Sequence, residues 1–219
     1  MKKSSVFVCT FAGWERDGWP NTALSVWLGE LGVVRARGER QVMRHGIHGA
    51  RPHDCARNLG AKAFLESGLE WLLMVDNDMT PQQPNLLDMC DFAAPEMDIV
   101  VPKFYCLSGN DPNVLKISLA WKLLPGQSSI PPNVSWVELA GAGTGCMAIR
   151  RRAFDVLKRP YFKFGYDANG FTVEGEDEYF CRQARAAGLR IFGHTAFEVD
   201  HLHTVSLSAL ARLIDRRGA

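Results

Sequence analysis

The feature that most constrains the fold is an apolar run that ends directly in two carboxylates. Residues 71–75 read WLLMV, and Asp76, Asn77 and Asp78 follow without a break. An uninterrupted apolar run of this kind predicts a strand buried in the protein interior. Charged side chains are costly to bury, so the two aspartates predict a polar site at the end of that strand.

Strands and helices alternate along the first half of the chain. Strands are predicted for residues 5–11, 33–37, 71–75 and 98–105, and helices for residues 21–31, 54–67 and 84–92. Gly32 and Gly68 are expected to end the first two helices, and Asp54 to cap the second at its start. The alternation is typical of a three-layer α/β fold with a mostly parallel sheet, whose ligands bind at the carboxyl ends of the strands.

The second half of the chain has fewer regular patterns. Loops are predicted for residues 38–52 and 107–132, and the second loop has room for a small hairpin. Further strands are predicted for residues 135–139, 145–150, 189–192 and 197–199, and further helices for residues 151–157, 177–187 and 207–217. The 219 residues are enough for one sizeable core, so we expect a single domain.

Composition and charge exclude several classes of protein. Hydrophobic residues make up 47% of the chain and charged residues 22%, as in ordinary globular enzymes. The formal net charge of +1 gives no strong field for nucleic acid or a membrane surface, and no apolar run approaches the ~20 residues of a membrane span. The six cysteines include no C-x-x-C pair, which argues against a zinc ribbon or a disulfide framework. We therefore expect a reduced, cytoplasmic protein.

A divalent cation is the simplest partner for two carboxylates at positions i and i+2. Mg²⁺ and Mn²⁺ prefer hard oxygen ligands and commonly share them with substrate phosphates. The alternative is a turn in which the Asp and Asn side chains cap the helix that follows Pro81. The position of Asp76 and Asp78 directly after an apolar strand favours the metal site.

Two histidines near the C-terminus are candidates for a further metal ligand. His201 and His203 follow the strand predicted for residues 197–199, where another strand should end. From these residues alone, a structural role is an equally good interpretation. A second group fits no zinc spacing and is interpreted as part of a loop; its members are His45, His48, His53 and Asp54.

An acidic segment, residues 174–178 (EGEDE), comes just before a predicted helix. The helix dipole stabilises acidic side chains at a helix N-terminus, but it accounts for one or two of them rather than four. We expect one of the four to be a general base whose pKa its neighbours raise. Upstream, residues 143–145 (GTG) either offer backbone N–H groups to hydroxyls and phosphates or form a tight entry into a strand.

Four motifs in order carry a resemblance to a known family: CARNLGAKAFLESGLEWLLMVDNDM, GAGTGCMAIRRRAFDVL, EGEDEYFCRQARAAGL and VDHLH. Over about residues 5–205 the chain resembles the family-2-type glycosyltransferases of the GT-A fold, in particular the short versions found in bacteria and their phages. The resemblance implies a Rossmann-like three-layer α/β sandwich. It also implies a nucleotide-binding half over about residues 1–105 and an acceptor and catalytic half over about residues 106–219.

The resemblance further implies a role for each matching residue. Asp78 and His201 would hold Mn²⁺ or Mg²⁺, with His203 as the substitute for His201, and Asp76 would contact the metal shell or the ribose. Asp177 would be the catalytic base, with Glu176 beside it. The residues implied in donor binding are Thr10, Phe11, Arg57, Asn58, Asp76, Asn77, Gly143, Thr144 and Gly145.

These expectations describe an enzyme that transfers a hexosyl or pentosyl group from a UDP- or GDP-sugar to an acceptor hydroxyl, with inversion as the default. The acceptor is a saccharide, a lipid-linked glycan or a small molecule. A hydroxylated base of phage DNA is a variant with which the basic residues 150–152 and 216–217 are compatible.

Two alternatives change the class of protein. A non-catalytic nucleotide-sugar-binding module would have no chemical reason to keep Glu176, Asp177 and His201. A nucleotidyltransferase would be expected to carry a Gly-rich, basic phosphate loop after the first strand, and residues 12–16 (AGWER) are a poor version of one.

Overall fold

The structure is a computed structural model that describes residues 3–12, 22–81, 85–108 and 116–203. The strands within these residues are β1 (Val6–Ala12), β2 (Val42–His48), β3 (Trp71–Asp76), β4 (Met79–Pro81), β5 (Ile99–Lys103), β6 (Tyr105–Ser108), β7 (Lys116–Leu119), β8 (Trp121–Leu123), β9 (Trp136–Ala142), β10 (Cys146–Arg150), β11 (Gly165–Tyr166), β12 (Thr172–Glu174) and β13 (Ile191–His201). The helices are α1 (Thr22–Ala36), α2 (His53–Ser67), α3 (Asp88–Phe92), α4 (Arg151–Val156) and α5 (Glu176–Ala186). In this part of the chain, no helix has both the length and the apolar composition needed to cross a membrane.

One mixed, mostly parallel sheet organises the molecule. Its strand order is β2-β1-β3-β10-β5-β13-β9-β8, with β4 paired to β13. β1 is parallel to β2 and β3, and β5 is parallel to β13, whereas β10 and β9 run antiparallel to their neighbours. The α/β class predicted from the alternation of strands and helices is confirmed. The sheet interleaves strands from both halves of the chain, since β10 lies between β3 and β5.

Apolar side chains alternate between the two faces of the sheet and form a core on each face. In β1, Phe7 and Cys9 belong to one core, and Val6 and Val8 belong to the other. Side chains of α2, α4 and α5 pack in the first core, and those of α1 and α3 pack in the second. The sheet is therefore the middle of three layers, which explains why β3 has no polar residue before Asp76.

Two predictions for the segment before α2 are wrong. Residues 33–36 continue α1 instead of forming a strand, so Gly32 lies inside the helix. A glycine costs a helix only ~1 kcal/mol, and Leu31 beside it is buried in the core. The predicted loop contains β2, an edge strand that pairs with β1 and leaves most of its side chains exposed. Exposure of this kind removes the apolar pattern by which a strand is recognised.

Smaller differences concern where elements begin and join. α2 begins at His53, so Asp54 lies in its first turn rather than at its cap, while Gly68 ends the helix at φ 72° as predicted. β13 merges two predicted strands, with an irregular register between His194 and Glu198. The strand predicted for residues 98–105 divides into β5 and the start of β6, and β6 pairs with β7 as the expected hairpin. The helix predicted for residues 207–217 lies outside the described residues.

The close packing of α2 on β1 depends on Gly60. A β-carbon at this position would lie 2.9 Å from both Cys9 Sγ and Phe11 Cζ, and both of these side chains are buried. Arg57 lies about one turn earlier in α2, and the close approach of the helix places its guanidinium 4.5 Å from the centroid of the Phe11 ring. Gly60 therefore sets the position of the residue that organises the site described below.

We expect Gly60→Ala to lower the free energy of unfolding by about 1–3 kcal/mol, the range typical of overpacking. The matched control is Gly29→Ala in α1, where a β-carbon would meet no atom within 4 Å. Alanine at this exposed position should stabilise the helix by up to ~1 kcal/mol. Urea unfolding measures both changes, and equal effects of the two substitutions would contradict the close-packing argument.

Candidate active site

The carboxyl ends of parallel strands meet at one edge of the sheet, as expected for an α/β fold. There β1 ends at Ala12, β3 at Asp76 and β13 at His201. A cleft of about 840 Å³ lies beside them, and it adjoins a recess of about 110 Å³. His53, Arg57 and Asp76 line both spaces, so the cleft and the recess form one continuous candidate site.

Arg57 is the buried centre of this site. Its Nη1 and Nη2 donate to Oδ1 and Oδ2 of Asp76 at 2.6 and 2.7 Å. Within the described part of the chain its Nε has no hydrogen-bond partner, and it lies 4.0 Å from Oε1 of Glu176. One guanidinium therefore links the end of β3 to the start of α5.

Asp78 and His201 form a second polar pair. His201 Nε2 lies 3.2 Å from Asp78 Oδ2, and His201 Nδ1 lies 3.2 Å from the carbonyl oxygen of Tyr105. Nδ1 donates to this carbonyl, so Nε2 donates to Asp78 when the imidazole is protonated, and loss of the Nε2 proton leaves a lone pair beside the carboxylate. Asp78 Oδ1 is buried and has no hydrogen-bond partner among the residues that the structure describes. A buried carboxylate oxygen without a donor, next to an imidazole nitrogen, fits Mn²⁺ or Mg²⁺.

The pKa values in this pair show that each side chain stabilises the charge of the other. Burial raises the pKa of Asp78, but the hydrogen bond and charge of His201 outweigh burial and the pKa is lowered. The hydrogen bond with Asp78 raises the pKa of His201. His203 lies beside His201, with 4.1 Å between the ring centroids, and partial burial together with the charge of His201 lowers its pKa. Of the two histidines, His201 is the one that contacts Asp78.

Asp76 does not converge with this pair. Arg57 engages both of its carboxylate oxygens. Across the described ranges, no three His, Cys, Asp or Glu side chains come together at the spacing of metal ligands. The structure therefore brings together two of the three predicted metal residues, Asp78 and His201, and pairs the third with an arginine.

Glu176 and Asp177 line the cleft from the first turn of α5. Burial, aided by the charge of Asp177, raises the pKa of Glu176 despite the opposing charge of Arg57. Burial also raises the pKa of Asp177, whose Oδ1 accepts a hydrogen bond from the backbone N–H of Glu178 at 2.8 Å. A β-carbon at residue 175 would lie 2.6 Å from this Oδ1. Gly175 therefore leaves the space that the Asp177 carboxylate occupies.

The remaining predicted donor residues divide into two groups. Gly143, Thr144 and Gly145 line the cleft, and Phe11 and Asn77 line the recess. The backbone joins these groups, because the N–H of Asn77 donates to the carbonyl of Phe11 and the N–H of Asp76 to that of Gly145. Thr10 precedes Phe11 in β1 but is not among the residues that line either space.

Asn58 uses its amide to hold a neighbouring loop. Its Nδ2 donates to the carbonyl oxygens of Asp54 and Phe162, each at 2.7 Å. Its Oδ1 accepts from the backbone N–H groups of Tyr161 and Phe162 at 2.9 and 3.4 Å. These bonds use both donors and both lone pairs of the amide, so Asn58 fixes the segment after α4 to α2.

Several residues that line the cleft were missed by the sequence reasoning. They are Phe104, Cys106, Trp121, Lys122, Arg182 and Arg185; His53, which was interpreted as part of a loop, is the first residue of α2 and lines the cleft as well. Those from 104 to 122 lie in or beside a segment without readable periodicity. Arg185 carried a usable signal, since it follows Asp177 by eight residues and therefore shares a face of α5 with it.

Comparisons with known proteins establish the fold. No family model matches the chain, and no curated protein matches it. Among solved structures, A197 from STIV superposes with a TM-score of 0.59 at 16% sequence identity, over 92% of this chain and 86% of that chain.

Two glycosyltransferases superpose as well. GalNAc-T7, solved with UDP, GalNAc and Mn²⁺, gives a TM-score of 0.54 at 13% identity; the match covers 97% of this chain but spans only 48% of that chain. A mutant of Drosophila β1,4-galactosyltransferase 7, solved with manganese, UDP-Gal and xylobiose, gives a TM-score of 0.50 at 16% identity. This match covers 91% of this chain and 71% of that chain. The chain has the GT-A fold of these proteins, as the resemblance in its sequence implied.

The raised pKa of Glu176 predicts a pH-dependent gain of stability in Glu176→Gln. A carboxyl whose folded pKa is raised favours the folded state at low pH, and this contribution is lost as the pH rises above its ordinary value of about 4.3. Glu176→Gln should therefore become more stable than the unsubstituted protein as the pH rises from about 4 to 7. Urea unfolding at several pH values measures the difference.

Glu66→Gln in α2 is the control for the loss of one negative charge at an exposed position. A difference in stability for Glu176→Gln that is constant from acidic to neutral pH would contradict the assigned shift.

Proposed function

We propose that the protein is a metal-dependent glycosyltransferase that moves a hexosyl or pentosyl group from a UDP- or GDP-sugar to an acceptor hydroxyl. The observation that carries this proposal is the placement of two kinds of carboxyl group around one continuous site, with Asp78 in the recess and Glu176 and Asp177 in the cleft. At the sheet edge, Asp78 is paired with His201 and keeps its charge. On α5, Glu176 and Asp177 have raised pKa values. A cation site and a base that face one space are what sugar transfer from a diphosphate requires.

Asp78 and His201 are the residues that would hold Mn²⁺ or Mg²⁺. The buried, unpartnered Oδ1 of Asp78 and the Nε2 of His201 supply two ligands. Mg²⁺ bound in enzymes usually takes its remaining ligands from water and substrate phosphates, which fits a site with two protein ligands. When bound, the ion stabilises the negative charge that develops on the diphosphate leaving group. The two GT-A structures that contain manganese support this assignment.

The recess and the sheet edge are suited to the nucleoside. Phe11, Ile47 and Ala50 provide apolar surface for a base, and Asp76 and Asn77 provide polar groups beside it. Arg57 holds Asp76 in place through two hydrogen bonds, so this carboxylate is oriented for a ribose hydroxyl. Gly143, Thr144 and Gly145 line the cleft where the donor sugar would lie.

Asp177 is the proposed base. Its carboxylate lines the cleft, and Glu178 N–H holds one of its oxygens, which leaves the other available to an acceptor hydroxyl. The raised pKa makes it a stronger base than an exposed aspartate. Asp177 takes the proton as the hydroxyl oxygen bonds to the anomeric carbon, and the diphosphate departs from the opposite side. A single displacement of this kind inverts the anomeric configuration.

The basic residues 150–152 do not favour the alternative in which the acceptor is a hydroxylated base of DNA. Arg150 donates to three backbone carbonyl oxygens. Arg151 donates to the carbonyl oxygens of Phe64 and Leu65 in the last turn of α2. Arg152 pairs with Asp98 at 2.6 Å. This basic cluster therefore holds the fold together, while residues 216–217 lie outside the described part of the chain.

A screen of nucleotide sugars tests the proposed function directly. The donor should raise the melting temperature in the presence of Mn²⁺ or Mg²⁺ and not after chelation. It should also be hydrolysed slowly when no acceptor is present. Stabilisation without turnover would identify a binding module, and formation of a nucleotide sugar from a sugar phosphate would identify a nucleotidyltransferase.

We expect Asp177→Asn to lower kcat by about 10²–10⁴-fold, the range for loss of a general base, and to leave donor binding intact. In the unsubstituted enzyme, kcat should rise with pH around a midpoint above the ordinary aspartate pKa of about 3.9, because the base must be deprotonated. Steady-state kinetics and calorimetric donor titration separate the two effects. Asp155→Asn in α4, an exposed aspartate, is the control. Full turnover in Asp177→Asn would assign the base elsewhere.

Substitution of the paired ligands should weaken metal binding. We expect Asp78→Ala and His201→Ala each to bind Mn²⁺ at least about tenfold more weakly, as measured by electron paramagnetic resonance titration with UDP present. His203→Ala is the matched control, because this exposed imidazole lies beside His201, whereas the hydrogen bond to Asp78 is made by His201. Loss of Mn²⁺ binding in His203→Ala alone would reverse the assignment of the two histidines.

A further inference from the structure

The end of the cleft beyond the proposed base is basic. Lys122 and Arg185 both line this end, from β8 and from α5. Lys122 is exposed, and in the described part of the chain it takes part in none of the ion pairs. A lysine that lines a cleft without a carboxylate partner is available to an anion.

Lys122 lies close to α5 across a glycine. In the β8–β9 pairing Lys122 is opposite Gly141. The point that a β-carbon of Gly141 would occupy is 4.0 Å from the Cβ of Lys122 and 3.3 Å from the Cβ of Cys181. Cys181 lies one helical turn after Asp177, so Lys122 faces the part of α5 that follows the base.

Arg185 extends the basic surface by one more turn. It lies eight residues after Asp177, or about 12 Å along the helix. Its Nη1 donates to the carbonyl of Leu139 and lies 3.6 Å from Glu138. Glu138 also accepts two hydrogen bonds from Arg190. Two guanidiniums therefore share one carboxylate, so Glu138 does not cancel the charges of both.

The acidic groups of the cleft are accounted for elsewhere. Glu174 accepts two hydrogen bonds from Arg182, so this pair adds no net charge. Glu178 accepts from the backbone N–H of Gly175 at the start of α5. The carboxylates thus gather near the N-terminal turn of α5, whereas Lys122 and Arg185 lie along the part that follows.

We propose that Lys122 and Arg185 bind a phosphate or carboxylate group carried by the acceptor. This inference rests on the proposed function, because the base and the diphosphate must lie on opposite sides of the anomeric carbon. Asp78 and His201 mark the diphosphate side, so the space beyond Asp177 belongs to the acceptor. The anion lies one or two sugar rings from the hydroxyl that Asp177 deprotonates. A sugar phosphate, a uronic acid and a lipid-linked sugar diphosphate share this chemistry.

The test compares acceptors in matched neutral and anionic pairs. Once the donor is known, glucose, glucose 6-phosphate and glucuronate are assayed together with the corresponding disaccharides. We expect a lower KM for the anionic members at similar kcat, and a loss of this preference at high salt because the contacting cations are exposed. Equal KM values across the pairs would overturn the proposal.

Lys122→Gln isolates the contribution of the lysine. We expect it to raise the KM for anionic acceptors roughly fivefold, the factor for an exposed ion pair at the upper end of its range, and to leave the KM for the neutral partner unchanged. Lys122→Glu should reverse the preference. Lys62→Gln, an exposed lysine of α2, is the matched control. An unchanged ratio of KM values in both Lys122 variants would refute the assignment.

A third arm distinguishes the source of the anion. A polyprenyl diphosphate sugar in detergent is compared with the soluble sugar phosphates, and the better substrate identifies a lipid-linked or a soluble acceptor. Metal-dependent donor binding is measured first in the same preparation. Absence of donor binding refutes the proposed function, whereas donor hydrolysis without any preference for charged acceptors refutes only this inference.

Discussion

The buried contact between Arg57 and Asp76 is the interaction on which the rest of the site depends. The guanidinium is 3% exposed, it donates twice to the carboxylate at the end of β3, and its Nε approaches Glu176 at the start of α5. Removing one partner of such a pair costs about 3–5 kcal/mol, because a buried charge is left without compensation. The pair therefore fixes three elements, α2, β3 and α5, at the distances that the cleft requires.

The charged groups around this pair differ in how completely their neighbours satisfy their hydrogen bonds and charges. Arg57 donates to both oxygens of Asp76 and His201 contacts one oxygen of Asp78, but the second oxygen of Asp78 is buried with no donor among the described residues. Glu176 and Asp177 are held where burial raises the pKa of each. The unpartnered oxygen of Asp78 and the burial of Glu176 and Asp177 disfavour the folded state. A folded protein tolerates such costs where a ligand or a reaction uses the groups. The strain is concentrated at the carboxyl edge of the sheet, while both cores on its faces are apolar.

The arginines of this protein show why charge counts describe function poorly. Arg150, Arg151 and Arg152 form the densest basic run before the C-terminal tail, yet they donate to the carbonyls and the carboxylate that hold α2, α3 and β5 together. Lys122 stands alone in the sequence and lines the cleft, and it forms no ion pair with any residue that the structure describes. Position relative to the cleft, and the presence or absence of a carboxylate partner, decides which cations can meet a substrate.

The sequence by itself determined the elements whose signals are local. The apolar run of β3, the acidic start of α5 and the left-handed glycine after α2 each depend on neighbouring residues, so the α/β class and the candidates Asp76, Asp78, Glu176, Asp177 and His201 could be predicted. The edge strand β2 could not, because its side chains are exposed and its identity depends on pairing with β1. The tertiary structure alone decided that Asp76 pairs with Arg57 and that His201 rather than His203 contacts Asp78. It alone also placed Lys122 opposite α5. Contacts of this kind join residues far apart in the chain, and no local periodicity encodes the distances between them.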